Sequence, residues 1–275
     1  MTIHQDGLLA LRLRPDGTGR TAVVRRRQRF PLRTTVAMYP DARDRAMAFV
    51  YVQNPTGGVF AGDRLRIEIA AEANARVHLT SQSATKLCRS DTGESGTSEL
   101  RVALGDGAYL EHVPDPLIPH AGSRYRQRTE AELGRGAAFV ATETLAPGRL
   151  GERFEYGEVE LRTTVRRRGR ELCVDALRLD RGLGARAGVL GPHTWLATLL
   201  AVSPDRDGEA LAARLDAALA AEPGVLAAAG VLPHGCGATV RVLAGDARHA
   251  RRALHRAWAE TRDEYLGLPL PPLRK

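Results

Sequence analysis

Three stretches of this chain share one pattern, and that pattern limits the fold more than any other feature. "EANARVHL" (72–79), "GDGAYLEH" (105–112) and "GRGAAFVA" (134–141) each set a small turn, then an alanine, then a short apolar strand. The spacing, about 30 residues, is that of a structural repeat whose copies must stack to bury their apolar faces. "RRGRELCV" (167–174) reads as a weaker fourth copy. Between the copies, apolar and polar residues alternate: Leu65, Ile67, Ile69; then Ala75, Val77, Leu79; then Leu100, Val102, Leu104. Period two means strands with one buried face. The first two thirds are therefore expected to form stacked β layers, β-helix-like or sandwich-like.

The last third changes period. Residues 194–203 read as an apolar strand. Residues 207–221 place Leu211, Leu215 and Leu219 on one helical face, with Asp207 as cap. Two strands then flank a turn at 233–237. A second helix over about 246–265 aligns Ala250, Leu254, Trp258 and Tyr265 before Gly267 stops it. The prediction is a mainly β protein with two C-terminal helices. A β-rich part (1–190) and a small α+β part (191–275) pack as one domain over 1–275, since no linker separates them.

Composition narrows the function classes. The formal net charge is +8, and Lys86 and Lys275 are the only lysines among 40 basic residues. So much arginine suits phosphate recognition, and a basic nucleic-acid-binding β protein is the alternative reading. The basic stretches 23–29 and 165–170 carry no interleaved aromatics, and aromatics make up only 5% of the chain, which disfavours a base-stacking platform. The cysteines (Cys88, Cys173, Cys236) are odd in number and form no CxxC pair, which fits a reducing compartment. The N-terminus has no signal pattern, and no apolar run reaches the roughly 18 residues of a membrane helix. A cytoplasmic protein without membrane contact is expected.

The glycine-rich loop "NPTGGVFAGDR" (54–64) invites a phosphate-binding reading. It fails, because no Lys-Ser or Lys-Thr and no helix follow the glycines. A tight loop using Gly57, Gly58 and Gly62 for close backbone approach explains it better. There is no G-x-S-x-G elbow and no H-E-x-x-H pair. His234 and Cys236 are the one close soft pair, too few for a closed metal site, though nickel accepts both ligand types. On residues alone, a scaffold or binding role is favoured over an enzyme.

The ordered segments carry a resemblance. "NPTGGVFAGDRLRIEI" followed by "HLTSQSATKLCRS" resembles the signature of the urease accessory family UreD, also called UreH. Its motif positions fall here on Asn54, Pro55, Gly57, Gly58, Gly62, Asp63, Gln82, Lys86, Arg89 and Ser90. Further matches follow in order at 107–125, 151–165, 232–244 and in the last helix and tail, covering nearly the whole chain. Cys88, His120 and His234 depart from the family's usual residues.

The resemblance implies a β-rich fold with two helices and a chaperone without enzymatic activity. It implies partners: the accessory proteins UreF and the GTPase UreG, apo-urease, and indirectly the nickel donor UreE. No tightly bound cofactor is implied, only nickel(II) in transit through an internal channel during GTP-dependent assembly. A conduit needs water and weakly binding oxygen ligands, so buried acids are the candidates: Asp63 first, then Glu143 and Glu111, with His234 and Cys236 as transient soft ligands. The residues 266–273 are a candidate partner surface.

Overall fold

The computed structural model describes residues 4–271. The β-rich part holds β1 (Asp6–Pro15), β2 (Thr21–Arg29), β3 (Arg33–Thr34), β4 (Ala48–Gln53), β5 (Arg64–Ala71), β6 (Arg76–Ser81) and β7 (Thr85–Leu87). It continues with β8 (Gly96–Leu104), β9 (Tyr109–His112), β10 (Leu117–Pro119), β11 (Arg124–Leu133), β12 (Ala138–Leu145), β13 (Glu158–Arg167) and β14 (Arg170–Asp180). The C-terminal part runs β15 (Trp195–Val202), α1 (Gly208–Ala220), β16 (Val225–Val231), β17 (Gly237–Ala244) and α2 (Ala247–Leu266).

From β4 to β13 the long strands alternate between two sheets. Strands β4, β6, β9 and β12 lie side by side and parallel in one; β5, β8, β11 and β13 do the same in the other. The chain thus winds as a coil, each turn adding one strand to each sheet. A short third side is made where Val59 pairs with Leu87 and where β10 runs parallel to β7. The strand β1 extends the second sheet in parallel beside β5, and antiparallel β2 and β14 close its edges.

The three repeats make the corners of this coil. Asn74, Gly107 and Gly136 all take positive φ, at 60°, 66° and 66°. The following Ala75, Ala108 and Ala137 are buried, where only a small side chain fits the stacked turns. Backbone bonds join the corners: Asn74 N–H donates to Asp106 O, and Gly107 N–H to Arg135 O, at 2.9 and 2.8 Å. The expected fourth copy differs. Arg168 and Gly169 turn a hairpin that returns β14 antiparallel on β13, so 167–174 ends the coil and does not extend it.

The ten-stranded sheet passes directly into the C-terminal part, because β15 pairs antiparallel with β12, and β17 and β16 follow. Its far face is covered by α1 and α2 through Leu211, Leu215, Leu254 and Trp258. The result is three layers: sheet, sheet, helices. One apolar core lies between the sheets and a second under the helices. Asp207 caps α1, accepting from the N–H of Glu209 and Ala210, and Gly267 ends α2 at φ 66°. Of the tail, Leu270 packs on the second core and Pro271 is buried. Residues 272–275, which include the last two positions of the expected partner surface, lie outside the described residues.

Candidate functional site

Alternation sends Leu65 and Ile67 of β5, and Tyr125, Gln127 and Thr129 of β11, into the space between the sheets. There they face Glu143 of β12. The layers do not fill this space: a cavity of about 220 Å³ remains. Its lining is part apolar and part polar. Asn54, Gly57 and Gly58 of the glycine loop reach it, and so do Gln82 and Lys86 of the 80–86 run. Five of the ten motif positions thus border one cavity. Pro55, Gly62, Asp63, Arg89 and Ser90 do not line it.

The glycine loop is a brace for this region. Asn54 Oδ1 accepts from the Thr56 hydroxyl at 2.6 Å, and its Nδ2 donates to Gly58 O at 2.9 Å. Gly58 has no room for a side chain, since a Cβ would stand 2.8 Å from Lys86 O and 2.9 Å from Cys88 Sγ. Backbone bonds Val59 N–H to Lys86 O and Cys88 N–H to Val59 O, both 2.8 Å, tie the loop to β7.

Each acid expected on an ion route has a definite place. Asp63 is buried and closes the loop: Oδ1 accepts from Gln5 N–H at 2.9 Å and Oδ2 from Phe60 N–H at 3.0 Å. Glu111 sits on the helix side of its sheet, away from the cavity. It accepts from Tyr109, Trp258 and Arg262, and its Oε1 lies 2.8 Å from His78 Nδ1. These partners, above all the His78 hydrogen bond, hold its carboxyl below the usual range against the opposing effect of burial. Of these three acids only Glu143 lines the cavity, which Glu99 and Asp115 also border. Gln127 Nε2 donates to its Oε1 at 2.7 Å, and the Tyr125 hydroxyl supports Gln127 at 3.1 Å. Protein surrounds Glu143 on all sides, and its residual free surface faces the cavity. Burial, then the charge of Asp175, push its carboxyl up to about 7; Gln127 and Arg241 offset part of this.

The soft pair does not converge. His234, at φ 57° in the turn before β17, is exposed, while Cys236 is buried. The thiol of Cys236 shares a hydrogen bond with Cys173 of β14, which together with burial keeps Cys173 protonated. Among the described residues no group of three or more His, Cys, Asp and Glu side chains could hold a metal ion. None of the described helices is long and apolar enough to cross a membrane.

Sequence reasoning missed Gln127 and Arg262. Gln127 alternates in phase with Tyr125 and Thr129, an amide on an inward face. Arg262 stands four residues after Trp258, on the apolar stripe of α2, where a charge signals a buried partner.

Fold and site together define a coiled β scaffold around a part polar, part apolar cavity that is lined by Glu143 with Glu99 and Asp115 and braced by a glycine loop. The chain belongs to the UreD urease accessory protein family, whose model matches residues 5–275. It is 37% identical to Urease accessory protein UreD 2 of Streptomyces griseus over 98% of this chain and 93% of that protein. It is 36% identical to Urease accessory protein UreD of Mycolicibacterium gilvum, covering 95% and 96%. For the UreD of Haloarcula marismortui the identity is 36%, covering 82% and 76%. This membership supports a role in urease maturation.

Proposed function

We propose that this protein is a cytoplasmic maturation chaperone, not an enzyme. It docks apo-urease, joins UreF and the GTPase UreG, receives nickel(II) indirectly from UreE, and passes the ion through its interior. The observation that carries the reading is the cavity between the sheets, bordered by Asn54, Gly57, Gly58, Gln82 and Lys86 and holding the Glu143 carboxylate. Nickel is cargo here. A hard oxygen ligand in a wet, partly apolar passage holds a divalent ion weakly enough to release it. With its carboxyl near neutrality, Glu143 gives up a proton as the ion arrives and takes one back as it leaves. Asp63 and Glu111 serve the fold, the first closing the glycine loop and the second anchoring α2.

The test is urease activation in a host carrying the urease structural genes, the other accessory genes and nickel, with and without this gene. Activity that requires the gene, UreF that co-purifies, and a Glu143→Ala variant that assembles but activates poorly are the expected results. Full activation without the gene would overturn the reading.

A further inference from the structure

The outer face of the seven-stranded sheet has no helix upon it among the described residues, because α1 and α2 both pack on the other sheet. Parallel sheets are usually covered on both faces, so the composition of this one is informative. Period two sends alternate residues outward, and the register aligns them in rows across the strands. One row reads Arg29, Leu8, Arg66, Glu99, Arg128, Arg162. Arg27 and Arg25 continue the face along β2, with Arg25 directly opposite Arg12.

Residues side by side in a row are separated by the strand spacing of about 4.8 Å, and like charges directly opposite destabilise a sheet. Some of this repulsion is answered within the chain. Arg12 pairs with Glu72 at 2.6 Å, and Arg66 and Arg101 share Glu99 at 3.6 and 3.3 Å. Arg128 opposite Arg162 has no such answer, nor have Arg25 and Arg27: among the described residues these four exposed arginines have no ion-pair partner. Arg128 and Arg162 repel each other, as do Arg25 and Arg12, and carboxylates brought from outside would pair with all four unpartnered arginines.

Two observations choose the kind of partner. Glu68, Glu99 and Glu130 stand among the arginines at neighbouring register positions and divide the positive charge into separate patches, which carboxylates at discrete points of a protein surface can match and an evenly charged phosphate backbone does not. No aromatic side chain shares these outward rows, so there is nothing to stack on bases. We propose that this face docks an acidic protein surface, with Arg25, Arg27, Arg128 and Arg162 receiving its carboxylates. The partner belongs to the maturation assembly, so this inference rests on the function proposed above.

Two double variants test it: Arg128→Gln with Arg162→Gln, and Arg25→Gln with Arg27→Gln. All four sites are exposed, and melting temperatures at or above the wild-type value confirm folding. Association with purified apo-urease and with purified UreF is measured at low and high salt, with homopolymeric RNA as the competing probe. The expected result is association about tenfold slower at low salt with one of the two proteins, the gap closing at high salt. Wild-type binding that both variants reproduce overturns the face alone. Loss of RNA retention with unchanged protein binding overturns it in favour of nucleic acid. A wild type that binds neither protein, with urease maturing without the gene, overturns the functional reading and this face together.

Discussion

Arg262 and Glu111 are 151 positions apart in the chain and meet at 2.5 Å with neither side chain exposed. The same guanidinium reaches Asp41 at 2.7 Å from its other terminal nitrogen. One side chain of α2 therefore joins the segment before β4 to the middle of the ten-stranded sheet. Replacing Arg262 by Met strands two buried carboxylates. The expected loss is about 3–5 kcal/mol, since removing one partner of a buried pair leaves its charge uncompensated. Urea unfolding followed by tryptophan fluorescence measures it. Adding Glu111→Gln to the Arg262→Met variant recovers part of the loss.

Glu143 gives a pH dependence of definite sign. Its carboxyl titrates near 7 in the folded chain and near 4.3 when unfolded. The folded state keeps the proton longer, so the contribution is fully present below the unfolded value and is lost as pH rises to 7. A Glu143→Gln variant mimics the protonated form and lacks this loss. It should match the wild type at pH about 4 and exceed it above pH about 7 by at most about 4 kcal/mol, less where cavity water screens the charge. Equal stability curves across this range would show that Glu143 ionises as an ordinary surface carboxyl.

Gly58→Ala tests the fit of the glycine loop. The added Cβ would stand 2.8 Å from a backbone oxygen, which cannot rotate away as a side chain can. Overpacking of this kind costs about 1–3 kcal/mol. Thermal denaturation should show it, and the same substitution at Gly17, which meets nothing within 4 Å, should be near neutral.

Asp63→Ala separates anchoring from transport. The two backbone N–H groups of Gln5 and Phe60 lose their acceptor, at a cost of about 1–3 kcal/mol. Urease activation should fall in step with the amount of folded protein and no further. A fully stable Asp63→Ala protein that fails to activate would return Asp63 to the ion's path.

The coil was legible because its signals are local. Each corner needs a residue tolerant of positive φ and then a small one, and Asn74-Ala75, Gly107-Ala108 and Gly136-Ala137 supply both. The hairpin at Arg168-Gly169 looked like a fourth corner because turn chemistry does not encode the direction of the next strand. Both helices were readable from their caps and stripes. The site was only half legible. Motif order led to Asn54, Gly58, Gln82 and Lys86, but the Gln127–Glu143 pair depends on two sheets facing each other. The same limit applies to Glu111, whose inward or outward direction follows from which side of the sheet α2 covers.

The parallel coil also shapes how the chain can be made. Each turn pairs with the one before it, so a chain leaving the ribosome can add turns in order from β4 to β12. The exposed edge of β12, however, finds its partner β15 only after a further 50 residues or so have emerged, and non-local pairing of this kind is slow. Until then that edge is an open template for another chain. Emergence of β15 closes that interval, so the speed with which residues 146–202 follow sets how long such an edge is available for aggregation.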